Sequence, residues 1–284
     1  MIRRPHWFPR PPSMLRPWLY HAALFVRRAE RTAQWVWDEH DYRLRRSSVS
    51  LASRVQKHQS VLIRRTPGAD PRLQENKVRN LRLVIERLDG TVIGPGQTFS
   101  FCKLVGRPTR RRGFLDGMEL VRGVARAGVG GGICQASNLI YWLALHSPLE
   151  VVERHHHSFD PFPGDGRVLP FASGATVMYN HRDLRLRNTT QHAFQFRFWL
   201  DQKCLNAELR SEVPLRHSYR VIERNHRFEQ IEGTWFRENE LWRATIDRET
   251  GHTIREEKAC SNRSEVKYAP SKEDLLATSS CNRQ

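Results

Sequence analysis

The chain has 284 residues, enough for one large domain or two small ones, and 47 Lys and Arg against 30 Asp and Glu leave a formal net charge of +17. Hydrophobic residues form 39% of it and aromatic residues 10%, which supplies enough apolar surface for a core and excludes wholesale disorder. Only seven of the basic residues are lysines, and arginine binds phosphate and carboxylate through a bidentate fork. The composition therefore predicts a globular protein with polyanionic partners. Nucleic acid is disfavoured as a partner, because no zinc-finger, RNA-recognition or helix-turn-helix pattern accompanies the charge.

The cysteines are odd in number, widely spaced and without a CxxC pair: Cys102, Cys134, Cys204, Cys260 and Cys281. Neither a disulfide framework nor a zinc ribbon is predicted from them, and no cofactor is expected. No run reaches the roughly 18 apolar residues that a membrane-spanning helix needs. The apolar stretch 18–26 follows several arginines but precedes no small-residue cleavage site, so a signal peptide is not expected. A cytoplasmic location, or a peripheral one at the membrane, is favoured.

Residues 1–71 are predicted to form a basic N-terminal region. The first 65 residues contain 14 Lys and Arg and 4 Asp and Glu, a net charge of +10. Apolar residues recur at helical spacing from Leu19 to Trp37, with arginines between them, which predicts an amphipathic helix. We favour a helix that packs on its own domain and exposes an arginine face to solvent. The alternative is a helix that lies on an anionic membrane surface.

Residues 72–200 are predicted to form the core. Helices are expected over 74–88, ended by Asp89-Gly90, and over 133–146, after three glycines. Short strands are expected over 91–93, 98–101, 150–158, 175–179, 184–187 and 194–200, with a solvated loop at 107–112. Without a βαβ alternation, the fold class is α+β with a mostly antiparallel sheet and packed helices.

Residues 201–268 are predicted to form a β-rich C-terminal extension, and residues 269–284 a frayed tail. Alternating aromatic and charged residues from Tyr219 to Cys260 indicate a β meander. Its turns are expected at Asn239 and at Thr250-Gly251.

Cys134 is the first candidate for chemistry because it lies in the first turn of a predicted helix. A helix N-terminus lowers the pKa of a thiol and makes it a nucleophile. The preceding Gly130, Gly131 and Gly132 could bring backbone N–H groups close to a substrate and to a developing oxyanion. The alternative is a glycine hinge followed by a thiol that only fills the core.

Three consecutive histidines follow about 20 residues later. In a strand the side-chain period is two, so His155 and His157 are expected to share a face, and either could take the proton of Cys134. The base needs an orienting carboxylate, for which Asp183 is a candidate and Glu153 its rival. A metal site is less favoured because only two of the histidines share a face, and surface histidines remain an alternative. Two arginines on the following strand, Arg185 and Arg187, could hold a substrate carboxylate or form a solvated face.

Five segments, spread over roughly residues 72–200, resemble the VanW family: Gly94-Pro95-Gly96-Gln97-Thr98-Phe99-Ser100-Phe101, Gly130-Gly131-Gly132-Ile133-Cys134-Gln135-Ala136-Ser137, Glu153-Arg154-His155-His156-His157-Ser158, Ala175-Thr176-Val177-Met178-Tyr179 and Asp183-Leu184-Arg185-Leu186-Arg187-Asn188. The charged tail to about residue 268 resembles that of short VanW proteins. The resemblance implies a role in remodelling peptidoglycan precursors in glycopeptide resistance, with a peptide stem or precursor as partner.

The resemblance also implies a mechanism. Some larger VanW-domain proteins look like L,D-transpeptidases, in which a cysteine attacks a peptide stem, forms a thioester and passes the acyl group to an amine. On that analogy Cys134 is the nucleophile, Gln135 and the glycines lie at the substrate, and His155 and His157 match the histidines of the family. His156 stands where the family commonly has proline. The order of Cys, His and Asp is also similar to that of transglutaminase-like and papain-like thiol folds, an analogy at the level of fold.

The sequence departs from the family pattern at two positions. Gly174 stands where an acidic residue is common, which shifts the orienting role towards Asp183. Cys102 stands where Asn is usual, and we interpret it as structural.

A second hypothesis stands beside the catalytic one. The chain could be a non-catalytic protein that binds an anionic glycan, lipid or wall precursor.

Overall fold

The computed structural model describes residues 17–37, 40–63, 70–121, 124–160, 169–271 and 274–275. The helices of this part of the chain are α1 (Pro17–Trp37), α2 (Pro71–Leu88), α3 (Phe101–Val105) and α4 (Cys134–Leu145), with a 3-10 turn at Arg110–Arg112. The first seven strands are β1 (Arg45–Arg46), β2 (Ser53–Val61), β3 (Thr91–Ile93), β4 (Thr98–Ser100), β5 (Asp116–Val121), β6 (Val124–Val129) and β7 (Glu150–Glu153). The remaining seven are β8 (Phe159–Asp160), β9 (Arg185–Arg187), β10 (Phe194–Leu200), β11 (Cys204–Ser211), β12 (His217–Ile231), β13 (Thr234–Asp247) and β14 (Thr253–Val266).

The described strands form four sheets, of order β1-β3-β10-β11-β2, β12-β13-β14-β8, β4-β9-β7 and β5-β6. Their pairings are antiparallel apart from the short parallel contact of β14 with β8. The predicted α+β class with a mostly antiparallel sheet is therefore confirmed.

The five-stranded sheet joins distant parts of the sequence. β2 belongs to the region predicted as N-terminal and β11 to the region predicted as a C-terminal extension, yet the two pair along eight residues of β11. β11 pairs on its other edge with β10 of the core. This sheet thus includes strands from both sides of the sequence-predicted boundaries at residues 71 and 200.

Helix α2 covers this sheet with its apolar stripe. Leu81, Val84 and Leu88 are fully buried, at the i, i+3, i+7 spacing that places residues on one face of a helix. The helix begins earlier than predicted because the Asp70 carboxylate accepts a hydrogen bond from the backbone N–H of Arg72, with proline at the first helical position.

The glycines before α4 form a packed turn. Gly130 and Gly132 have φ of +82° and +89°, a backbone region that favours glycine. Gly131 lies against Gly117 of β5 so closely that a Cβ built on it would be 2.2 Å from the Gly117 carbonyl carbon. The turn therefore holds the start of α4 against the β5–β6 hairpin, an element that the sequence pattern did not reveal.

Several predicted strands and turns are wrong in detail. The strand expected over 150–158 ends at Glu153, and residues 175–179 form no strand, because Met178 pairs with Arg182 across a turn. Asn239 lies buried within β13, and the chain turns instead at Glu232 and Gly233, both with positive φ. The meander itself and its turn at Thr250-Gly251 are confirmed as β12, β13 and β14.

The predicted amphipathic helix is confirmed as α1. It lies against the candidate site through the ion pair of Arg31 with Glu153. Among the described helices, α1 included, none combines the length and the apolar character needed to cross a membrane.

Candidate functional site

The candidate site is organised around the segment 174–177, onto which α4 docks. The Ser137 hydroxyl donates to the carbonyl of Ala175 at 2.6 Å, and the Asn138 side-chain oxygen accepts from the N–H of Ala175 at 2.8 Å. A Cβ on Gly174 would be 2.4 Å from that same Asn138 oxygen. A side chain at position 174 would therefore disturb this contact, which accounts for the glycine there.

Cys134 and His155 contact neighbouring residues of this segment. The Cys134 thiol lies 3.6 Å from the carbonyl oxygen of Val177, while the N–H of Thr176 donates to the carbonyl of His155 at 2.7 Å. Two neighbouring residues of the segment, Thr176 and Val177, thus contact the backbone of His155 and the thiol of Cys134 respectively.

The pKa of Cys134 differs from the expectation. Burial raises the pKa of this thiol, and the carboxylate of Glu119 on β5 raises it further. Among the described residues, no histidine contributes to this shift. The expected lowering of the Cys134 pKa is therefore wrong for this arrangement, because desolvation of the thiolate outweighs the helix N-terminus.

His155 has an orienting carboxylate, and it is Glu153. The Nε2 atom of His155 lies 2.9 Å from Oε1 of Glu153. Burial raises the pKa of Glu153, but the hydrogen bonds from His155 and Arg31 outweigh it and lower the pKa to about 2. Because an ionised carboxylate only accepts, Nε2 must carry the proton, which leaves Nδ1 as the atom able to take another.

Glu153 is also the point at which α1 reaches the site. The two guanidinium nitrogens of Arg31 donate to its two oxygens at 2.6 and 2.7 Å, and the backbone N–H of Asp183 donates to it at 3.1 Å. Arg185 lies 3.7 Å away. One carboxylate at the end of β7 therefore binds groups from α1, from His155 just after β7, and from Asp183 and Arg185 at and before β9.

The Asp183 side chain stabilises the start of α3. It is fully buried and accepts from the Ser100 hydroxyl at 2.5 Å and from the N–H groups of Cys102 and Leu184, both at 2.8 Å. Burial raises its pKa. Its link to His155 in this structure is indirect, through its own N–H group and Glu153. The buried Cys102 nearby contacts carbonyls of the 178–182 turn.

His156 and His157 are attached to β14. Nε2 of His156 lies 2.9 Å from the carbonyl oxygen of Arg263, and the carbonyl of His157 accepts from the Ser264 hydroxyl at 2.6 Å. Burial lowers the pKa of both imidazoles. Since β7 ends at Glu153, the strand whose alternation predicted a shared face for His155 and His157 does not extend to them.

The other proposed substrate-binding groups are engaged within the fold. The N–H groups of Gly130 and Gly131 donate to the carbonyls of Leu115 and Gly128, each at 2.9 Å. The Gln135 amide donates to Val61 of β2 at 2.9 Å. Arg185 is buried and stacks over the ring of Tyr42, whereas Arg187 is half-buried at the end of β9. The glycines and Gln135 thus hold α4 in place.

Sequence reasoning missed four residues around the site. Arg31 lies 122 residues from Glu153, and no local pattern connects them. Arg154 donates to the carbonyls of Gly174 and Ala172 and to Asn262 of β14, and its guanidinium lies 4.9 Å from the centre of the Tyr141 ring. The third missed residue is Glu119, whose charge raises the pKa of the Cys134 thiol. The fourth is Lys77, whose side chain packs so closely on Gly132 that a Cβ there would collide with it. Within the described part of the chain, no three His, Cys, Asp or Glu side chains come together as metal ligands.

Comparisons with known proteins identify the family to which the chain belongs. The family described as VanW like protein matches residues 76–210, which include Cys134, His155, Glu153 and Asp183. The vancomycin B-type resistance protein VanW of Enterococcus faecalis is 30% identical over 187 residues, 66% of this chain and 68% of that protein. The chain belongs to the VanW family.

A second relative is the uncharacterized protein YoaR of Bacillus subtilis. It is 33% identical over 115 residues, which are 40% of this chain and 36% of YoaR. No solved structure matches the chain.

Proposed function

We propose that this chain contributes to glycopeptide resistance as a cysteine-dependent acyl transferase of the L,D-transpeptidase type, acting on the peptide stems of peptidoglycan or its precursors. Cys134 is the nucleophile and His155 the base. The role in resistance rests on the name of the Enterococcus faecalis relative, and the chemistry on the site.

The observation that supports this proposal most is the hydrogen bond between His155 and the ionised Glu153. It fixes the tautomer of the imidazole and stabilises the imidazolium that forms when the base takes a proton. The thiol contacts Val177, next to Thr176, which is bonded to His155. Nucleophile and base are therefore attached to adjacent residues of one segment.

The reaction starts from a neutral thiol, because burial raises the pKa of Cys134. Nδ1 of His155 removes the thiol proton as Sγ attacks the carbonyl carbon of a peptide bond, so a C–S bond forms and the C–N bond breaks. The leaving amine takes the proton from the imidazole. An acceptor amine then attacks the thioester, gives up a proton through His155 and releases the thiol. The thiol must leave the carbonyl of Val177, which it contacts in this structure, before it gives its proton to the imidazole.

Intact-mass spectrometry after incubation with tetrapeptide-stem muropeptides, and separately with a carbapenem, tests the proposal. We expect a covalent adduct on the wild type and on Cys204→Ala, the matched control at the first residue of β11, and none on Cys134→Ala. Glu153→Gln should slow adduct formation by about 100-fold, as loss of an orienting carboxylate does. A folded wild-type protein that forms no adduct with either reagent would contradict the acyl-transfer proposal.

The raised pKa of Cys134 also favours a second function, that of a non-catalytic protein which binds an anionic glycan, lipid or wall precursor through its basic surface. This function predicts binding that weakens as salt is added. It also predicts equal affinity for the wild type and Cys134→Ala. Titration calorimetry with both proteins at two salt concentrations distinguishes it from the catalytic proposal.

A further inference from the structure

Helix α1 turns the side that carries Arg31, Thr32 and Trp35 towards the protein. Arg31 reaches the carboxylate of Glu153, the Thr32 hydroxyl lies 3.2 Å from the Asn180 amide, and the Trp35 ring lies 5.4 Å from the ammonium of Lys103. The side chain of Arg31 is only 12% exposed. The expected solvated arginine face is therefore wrong for this residue, because the guanidinium neutralises a buried carboxylate.

The opposite side of α1 is apolar and faces solvent. At about 100° per residue, an arc of about 120° contains no charged or polar residue. Its members are Ala22, Phe25, Val26, Ala29, Ala33, Val36 and Trp37. Phe25 is 72% exposed, Val36 73% and Trp37 84%, and no described residue covers them. Exposed apolar surface of this extent, gathered along one helix face, marks an interaction site.

The net charge of the region that contains this helix indicates its partner. Arg45 and Arg46 shortly after the helix are exposed, whereas Arg27 and Arg43 are paired with Glu30 and Asp41. The sequence before the helix adds Arg3, Arg4, Arg10 and Arg16 and no acidic residue. Association of two copies through this face would bring together two regions of charge +10 each, which is unfavourable. An anionic lipid surface attracts the same charge and accepts the apolar side chains.

We propose that α1 lies in the plane of an anionic membrane surface, with its apolar face inserted among the lipid head groups. Arg45 and Arg46 bind lipid phosphates, and Phe25, Val36 and Trp37 enter the boundary of the acyl chains. Since Arg31 joins the opposite side of the helix to Glu153, the candidate site stands about one helix diameter, roughly 10 Å, above the lipid. This inference is independent of whether Cys134 is catalytic.

Vesicle flotation of the full chain tests the proposal, using phosphatidylcholine vesicles and vesicles that also contain phosphatidylglycerol. The variant is Phe25→Gln/Val36→Gln, because glutamine keeps the helix propensity while it removes the apolar surface. The matched control is Val49→Gln/Ile254→Gln, which changes two equally apolar side chains that are 75% and 55% exposed elsewhere.

We expect the wild type and the control to float with anionic vesicles and to be released by salt. The α1 variant should partition at least about tenfold more weakly, with an unchanged circular dichroism spectrum. Two outcomes overturn the proposal. One is a wild type that does not float with anionic vesicles, and the other is an α1 variant that floats as well as the control. If no protein binds vesicles, and the wild type and the control sediment as dimers while the α1 variant sediments as a monomer, the face belongs to a second copy of the chain instead.

Discussion

Arg31 and Glu153, 122 residues apart in the sequence, form a bidentate ion pair. One guanidinium nitrogen donates to each carboxylate oxygen, at 2.6 and 2.7 Å. The two side chains are only 12% and 14% exposed. The pair attaches α1 to the strand that leads into the three histidines. A substitution that breaks this pair should therefore change both the free energy of unfolding and the position of His155 in the candidate site.

The first prediction concerns the stability of this pair. Arg31→Gln leaves the Glu153 carboxylate with fewer donors in a mostly buried place, and we expect a loss of about 2 kcal/mol in the free energy of unfolding. The matched control is Arg27→Gln on the same helix, whose ion pair with Glu30 is about half exposed and should contribute less than about 0.5 kcal/mol. Urea denaturation measures both free energies of unfolding. Equal losses would show that the buried pair stabilises the fold no more than the exposed one.

The second prediction concerns the pH dependence of Glu153. Its pKa is lowered to about 2 in the folded protein, against 4.5 for an ordinary glutamate. The folded state therefore binds fewer protons, so this contribution to stability is present above about pH 4.5 and is lost as the pH falls towards 2. Its full size is on the order of 3 kcal/mol. The difference in unfolding free energy between wild type and Glu153→Gln should shrink steadily from pH 5 to pH 2.5, and a constant difference would contradict the lowered pKa.

The third prediction concerns the glycine turn before α4. Gly131→Ala places a Cβ 2.2 Å from backbone atoms of Gly117, so the backbone must move, and we expect a loss of about 3 kcal/mol. Gly96→Ala is the control for crowding, since Gly96, unlike Gly131, has a positive φ, of +74°, but has nothing within 4 Å of the added carbon. Its cost should be about 1 kcal/mol, the strain of the left-handed conformation alone. Thermal unfolding compares the two, and similar losses would mean that Gly117 and Gly131 are not in contact.

The fourth prediction concerns the reactivity of Cys134 without substrate. Because burial raises its pKa, the thiol should react with iodoacetamide at neutral pH at least about tenfold more slowly than it does in the urea-unfolded chain. The rate should continue to rise above pH 9. Peptide mass spectrometry resolves Cys134 from the other cysteines. Fast alkylation of the folded protein at pH 7 would mean that the thiolate is already stabilised at rest.

Local sequence features determined much of the fold. Residues close together in the chain set three local features. These are the apolar spacing of α1 and α2, the glycines before α4 with the thiol at its first residue, and the alternation in β10 and β12–β14. These elements were predicted because helix and strand periodicity are local properties. The β5–β6 hairpin and β2 were not predicted, and β11 was predicted only as part of a β-rich extension. The pairing of β2 with β11 joins segments about 150 residues apart, which no local pattern reveals.

The sequence by itself determined the α+β class, the VanW membership carried by motifs from Gly94 to Asn188, and the position of Cys134 at the start of a helix. Only the tertiary structure decided which carboxylate meets His155, that α1 points Arg31 inwards and Phe25 outwards, and that the thiol is too buried for its pKa to fall. The physical reason is the range of the interactions. Periodicity acts over a few residues, whereas hydrogen bonding, desolvation and ion pairing depend on groups that the fold brings together from far along the chain.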